Sequence, residues 1–233
     1  MQNKLNIFLA ILIGFCYSNN LIDKKFNYQI EYKKIYAGEA YLMISEDSLF
    51  NQKVLKLKSN LKTNRFVDLF YKIRDDITVY MNYNDFSLLK VINKINEGKY
   101  KKNHSAIFEV ESKKIISKNK KIDVQNKVYS PLSIIYSLRE KLLYKEDIYK
   151  YQIYSANKIN NVNMSVISKE KVKTPFGSYN AIVVSPKSNN NESVIKNNGD
   201  MKVWFTDDND RYPVKIEIKL NHGSIILLLD NIE

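Results

Sequence analysis

Cysteine occurs once in this chain, which excludes a disulfide scaffold and a thiolate zinc site. Histidine occurs twice. His104 and His222 stand far apart, and neither belongs to a ligand-spaced motif such as His-Glu-x-x-His. Glycine (6) and proline (4) are scarce in 233 residues, so collagen-like and low-complexity linker proteins are excluded. No glycine-rich loop offers a phosphate cradle, and neither Ser133 nor Ser178 sits in the Gly-x-Ser-x-Gly elbow of hydrolases. After the first residues, no apolar run approaches the ~20 that a spanning helix requires. These absences point away from an enzyme and from any cofactor.

Hydrophobic residues make up 44% of the chain and charged residues 27%, enough for a packed core and too much for a disordered chain. The formal net charge is +12. Almost all of it is lysine: Arg65, Arg74, Arg139 and Arg211 are the arginines. Lysine, asparagine, isoleucine and tyrosine together are what an AT-rich gene encodes, so part of the charge is codon bias. Specific nucleic-acid readers favour the planar arginine fork, and no nucleic-acid partner is expected. A weak attraction to anionic membrane surfaces is expected.

The first residues have the plan of an address label. Met1–Lys4 carries one positive charge, Leu5–Phe15 is apolar, and Cys16–Asn20 is small and polar. This predicts a signal peptide over residues 1–18, cleaved after Ser18, and an exported, periplasmic protein. The alternative is a lipid anchor through Cys16, although Phe15 stands where a lipobox has a small residue. The remainder, residues 19–233, reads as a single β-rich domain.

Alternation of period two dominates that remainder. Phe26, Tyr28, Ile30 and Tyr32 alternate with polar residues, as do Leu55 and Leu57, Ile77 and Val79, and Val214 to Leu220. Such strands bury one face and wet the other, as antiparallel sheets do. Turns are expected at Ala37-Gly38, Asn84-Asp85, Glu97-Gly98, Phe176-Gly177, Asp207–Asp210 and His222-Gly223, with positive φ at Gly38, Gly177 and Gly223. The fold class is mainly β: an antiparallel, open or incomplete barrel of about 11 to 13 strands with one packed helix. That helix spans Pro131 to Leu143, capped by Ser130, with Leu132, Ile135, Tyr136, Leu138, Leu142 and Leu143 on a broad apolar face. Phe66 to Tyr71 is a compact apolar cluster, either one helical turn or a bulged strand end. Lys113–Lys127 and Ser188–Asn198 read as solvated loops or strand ends.

Several motifs recur in a familiar order. They are Ala37-Gly38-Glu39-Ala40, Phe70–Asp75, Glu97-Gly98-Lys99-Tyr100, the helix Pro131–Arg139, Thr174–Tyr179 leading into Asn180–Val184, and Trp204–Asp208 leading through Arg211 to Pro213–Ile216. Their order and spacing resemble the exported bacterial family known as domain of unknown function 3108, from about Phe26 to Leu229. Ser130 stands where that family usually has an acid before the helix. The resemblance implies export and a β-rich architecture. By analogy of fold, it is similar to half-barrels that carry lipids or lipoprotein acyl chains across the Gram-negative envelope.

The charged motifs yield little chemistry. Asp207-Asp208-Asn209-Asp210 lacks the glycine and glutamate of a calcium loop and reads as a hairpin turn. Asp75 and Asp76 are neighbours on a strand and point to opposite faces. Arg74, Arg139 and Arg211 either bind an anion such as a lipid phosphate or pair internally with nearby acids. Ile225–Leu229 is an uninterrupted apolar run, buried on both faces or lining a cavity for an apolar ligand. The candidate ligand-binding residues are therefore Leu132, Ile135, Tyr136, Trp204, Ile216 and Leu227, with Arg74, Arg139 and Arg211 around them. The expected function is non-catalytic: binding of a lipid, a lipoprotein acyl chain or another apolar ligand in a curved sheet. A structural envelope protein that contacts another protein is the alternative.

Overall fold

A computed structural model of the chain describes residues 22–118, 120–187, 201–220 and 223–233. The expected signal peptide, Cys16, His222 and the 188–198 stretch lie outside the described residues. The elements in chain order are β1 Lys25–Tyr32, β2 Ile35–Leu49, β3 Gln52–Thr63, α1 Arg65–Asp68, β4 Arg74–Asn82, β5 Leu88–Glu97, β6 Tyr100–Glu109, β7 Lys114–Ser117, β8 Lys120–Asp123 and β9 Val128–Tyr129. They continue with α2 Pro131–Arg139, β10 Ile148–Ser155, β11 Lys158–Thr174, β12 Gly177–Lys187, β13 Met201–Thr206, β14 Pro213–Leu220 and β15 Gly223–Ile232.

All 15 strands join one sheet, more than the 11 to 13 expected, in the order β8-β7-β6-β5-β4-β3-β2-β1-β15-β14-β13-β12-β11-β10-β9. The extra strands are the short β7 and β8, which form within the lysine-rich stretch Lys113–Lys127, and β9 just after it. Each ladder is antiparallel except β9 on β10. The strand that closes the chain, β15, pairs with the first, so both lie mid-sheet. Alternation does the sorting: in β1 the residues Phe26, Tyr28 and Ile30 are buried while their neighbours are partly wet. Bulges at Ile30/Glu31 in β1 and Val166/Ser168 in β11 bend the strands and help the sheet curl.

The first hairpin turns at Lys33-Lys34, both with positive φ (50° and 66°), and not at Ala37-Gly38. Gly38 lies within β2, opposite Thr63 of β3. Its requirement is closeness: an added Cβ would stand 2.1 Å from the Lys62 carbonyl oxygen. Positive φ is found at Gly177 (159°) and Gly223 (143°) as expected, and at Gly98 (58°), but not at Gly38.

Helix α2 is capped as expected. The Ser130 hydroxyl accepts from the Ser133 N–H, and the Ser133 hydroxyl returns a bond from the Ser130 N–H. Pro131 fills the first turn, where its missing N–H costs nothing. The helix ends at Arg139, four residues short of Leu143. The Lys141 N–H closes a tight turn on the Leu138 carbonyl, and the Leu142 carbonyl is taken by the Tyr149 hydroxyl. Leu142 is consequently exposed, although Leu143 still reaches the core. The Phe66–Tyr71 cluster resolves into the single helical turn α1.

Candidate functional site

The inner face of the sheet carries a continuous apolar row. Register places Ile30 beside Leu227, Leu227 beside Ile216, Ile216 beside Val203, Val203 beside Val184, and Val184 beside Val166. All six are buried, and they cross six consecutive strands. Ile216 and Leu227 thus share one surface. In the run Ile225–Leu229, Leu227 and Leu229 are buried and face inward with Ile30 and Tyr28. Ile226 and Leu228 turn to the other face and stay partly exposed.

Helix α2 lies inside this curve. It packs on β4 and on β10, which stand nine places apart in the strand order. Its Arg139 donates to the Asp210 carbonyl in the β13–β14 connection. A nine-residue helix meets these three places, β4, β10 and the β13–β14 connection, from the concave side. Ser133, Ile134, Ile135, Tyr136, Ser137, Leu138 and Arg139 are buried in succession, and Leu132 packs on the core's margin. This helix is covered on every side, so no solvated face guided its placement.

Few polar groups enter the interior. Tyr28 donates to the Pro213 carbonyl at 2.8 Å. Ser137 and Tyr151 share a bond of 3.2 Å, and burial pushes the Tyr151 phenol up to about 12. The Tyr136 hydroxyl is fully buried and has no hydrogen-bond partner among the described residues. Burial holds the Tyr136 phenol far above the ordinary tyrosine value, and the nearby Arg139 guanidinium counters only part of this.

The arginines are engaged within the chain. Arg139 donates through Nε and Nη2 to the Asp210 carbonyl, at 2.8 and 2.5 Å, and lies 3.4 Å from Glu140. Burial lowers its pKa. Arg211 donates to the Arg139 carbonyl at 2.8 Å, so the two tie the end of α2 to the β13–β14 connection. Arg74 forks onto Asp68, with Nη2 to Oδ2 at 2.5 Å and Nη1 to Oδ1 at 3.1 Å. Arg74 belongs to the α1 region, away from the other two in the fold.

Trp204 stands apart from the helix. It pairs laterally with Lys215, whereas its neighbours Val203 and Phe205 face inward. Its indole N–H donates to Glu170 at 3.1 Å, and the Lys215 ammonium sits 4.0 Å from the ring centroid. Strand parity places Trp204 on the outer face, where lysine stems and the Glu170 carboxylate cover it. The expected grouping of Trp204 with Ile216 and Leu227 therefore does not form.

The barrel is not closed by a ladder. Strands β8 and β9 are the two ends of the sheet, yet only residues 124–127 separate them in sequence. Side chains bridge the seam: His104 Nε2 lies 3.1 Å from the Tyr154 hydroxyl, and Lys120 donates to the Asn157 carbonyl at 3.0 Å. Beside it, Lys127 pairs with Asp85 at 2.7 Å. Sequence reasoning missed His104 and Tyr154, because nothing local to either signals a partner on a strand some fifty residues away.

The acidic motifs are structural. Asp208 Oδ1 accepts from the Thr206 hydroxyl and from the N–H groups of Asp210 and Arg211, which builds the turn. Asp75 accepts from the Asn96 N–H, while Asp76 accepts from Asn60.

No curated protein matches the chain. Among solved structures it is similar to a β-barrel-like protein of the domain of unknown function DUF1849 from Brucella abortus. The TM-score is 0.61 at 10% sequence identity, over 91% of this chain and 98% of that one. The likeness shows the fold alone. The family model for a protein of unknown function, DUF3108, matches residues 27–230, and the chain belongs to that family.

Proposed function

We propose that the protein is a non-catalytic binding protein of the cell envelope whose concave face shelters the apolar chain of a lipid or lipoprotein, with α2 as its lid. The observation that carries this reading is the seam. A closed barrel opens only by breaking ladder hydrogen bonds, whereas this one is held from β6 to β10 and from β8 to the β10–β11 turn by side chains. Helix α2 follows the seam directly in sequence, so seam and helix can swing together. The apolar row from Ile30 to Val166 belongs to the same buried core as the helix and is a surface suited to acyl chains. The unpartnered Tyr136 hydroxyl beside Arg139 supplies a polar end that a ligand carbonyl or phosphate could satisfy. The lysine-rich exterior would suit delivery at an anionic surface.

A second reading rests on one observation, the burial of all seven residues from Ser133 to Arg139. A helix so covered also suits a permanent plug in a structural envelope protein. Purification from the envelope followed by mass spectrometry of co-extracted lipids separates the two, with Ile135→Ala and Tyr136→Phe measured in parallel. For a lid, Ile135→Ala costs little stability and changes lipid retention, and Tyr136→Phe lowers retention. For a plug, Ile135→Ala costs about 2–5 kcal/mol, as loss of a packed core side chain does. That loss, with no lipid bound to any variant, would sink the carrier reading.

A further inference from the structure

The segment Arg65-Phe66-Val67-Asp68-Leu69-Phe70-Tyr71-Lys72 joins β3 to β4 at the end of the barrel where β1 turns into β2 and β5 into β6. Apolar loops normally fold their side chains inward. Here Phe66 is 63% exposed, Leu69 78% and Phe70 77%. The rings of Phe66 and Phe70 pack edge to face at 5.7 Å, forming one projecting surface.

The projection is held firmly from below. Asn64 caps the turn on the Val67 N–H and donates its own side chain to the Tyr36 carbonyl. Val67 packs on the core. Asp68 receives the Thr63 hydroxyl at 2.5 Å and the fork of Arg74. On the other side, the Gly98 N–H bonds the Lys72 carbonyl at 2.7 Å. Val67 and Asp68 could not take these seats without turning Phe66, Leu69 and Phe70 outward. The bonds that fix the loop thus hold its apolar side chains in water.

Cations surround the projection. Lys33, Lys34, Arg65, Lys72 and Lys99 are exposed on the three adjoining connections, and none of them is in a salt bridge among the described residues. Of the acids at this end, Glu39 pairs with Lys62 and Asp68 with Arg74, while Glu31 and Glu97 stand near the ends of β1 and β5. Between the β1–β2 connection and α1 lies a cleft of about 360 Å³ that Lys62, Arg65 and Arg74 help to line.

We infer that this end of the barrel docks on an anionic lipid bilayer. Phe66, Leu69 and Phe70 enter the boundary between headgroups and acyl chains, and the surrounding lysines and arginine meet the lipid phosphates. Apolar side chains ringed by cations match the layering of such a surface: a charged plane above hydrocarbon. This surface lies outside the concave face, and the inference stands whether or not the barrel holds a lipid.

The test is binding of the purified protein to vesicles of phosphatidylcholine with and without phosphatidylglycerol. Wild type, Leu69→Ser/Phe70→Ser and Lys33→Gln/Lys34→Gln are compared, and all carry the same N-terminus, so differences report the docking end. Binding is expected to need the anionic lipid. The serine variant should weaken it about tenfold or more. The glutamine variant should weaken it about fivefold per lysine, and only on anionic vesicles. The replaced residues are exposed, so unfolding midpoints should match wild type. In Phe70→Trp, the indole emission should shift to the blue on binding and be quenched by brominated acyl chains, while the buried Trp204 gives a constant background. Equal binding by all variants, or an unshifted emission with vesicles present, overturns the inference. Failure to bind vesicles of any composition also overturns it, and the projection is then a face for a protein partner.

Discussion

Gly38→Ala is the most demanding test of how tightly the first three strands are drawn together. The new methyl carbon would fall 2.1 Å from the Lys62 carbonyl oxygen and 2.8 Å from the Thr63 Cα. Both are backbone atoms, so no rotamer change relieves the clash. Carbon–oxygen contacts across strands settle near about 3.3 Å. The β3 backbone must therefore retreat by about 1.2 Å at Lys62 and Thr63. Overpacking of this kind costs about 1–3 kcal/mol. The retreat also strains the adjoining ladder bonds between β2 and β3, each worth about 1 kcal/mol net. A total loss of about 2–4 kcal/mol is expected from denaturant unfolding of the purified protein. The damage should spread to α1, because the Asn64 N–H bonds the Ala37 carbonyl at 2.9 Å. Hydrogen exchange at Asn64, Val67 and Asp68 should then rise before exchange at β14 or β15. By contrast, an added Cβ at Gly98 meets only the Tyr71 ring edge, at 2.9 Å, and that side chain can move. Its cost comes from φ 58° and should stay near about 1 kcal/mol. A Gly38→Ala protein within about 0.5 kcal/mol of wild type, the range of unremarkable surface changes, would refute the close approach of β2 and β3.

Arg74→Lys keeps the charge but loses the fork onto Asp68. The Arg74 hydrogen bond is the main cause that holds the Asp68 carboxyl below its ordinary value, so in the variant Asp68 should titrate closer to about 3.9, as followed by carbonyl-detected NMR. Burial and the nearby Lys102 lower the His104 pKa, so the folded state takes up that proton less readily than the unfolded chain. Its contribution to stability is present above about pH 6.5 and is lost as pH falls below it toward the lowered folded value. His104→Asn should flatten the pH–stability curve below about pH 6.5, and an unchanged curve there would overturn this reading of His104. N-terminal sequencing of protein recovered from the envelope should begin near Asn19, and a full-length cytoplasmic product would rule out export.

Local chemistry determined the strand pattern, the α2 cap and several of the turns. Period two is a property of the backbone, so Phe26, Tyr28 and Ile30 declared their shared face without reference to the rest of the chain. The same holds for Ser130-Pro131, whose capping and fixed φ act within one turn. The placement of Gly38 was not legible, because its requirement is set by the Lys62 carbonyl on a neighbouring strand. Trp204 was misplaced for a related reason. Its burial was legible from residue type, but parity with Val203 and Phe205 put it on the outer face, where Lys215 and Glu170 cover it. The arginines were legible as special in a lysine-rich chain, yet only the fold assigned Arg139 to Asp210 and Arg74 to Asp68. The tertiary structure alone decided the seam and which strands α2 meets. Both depend on how far the sheet curls, which is the sum of twist and bulges over 15 strands and is written in no single segment.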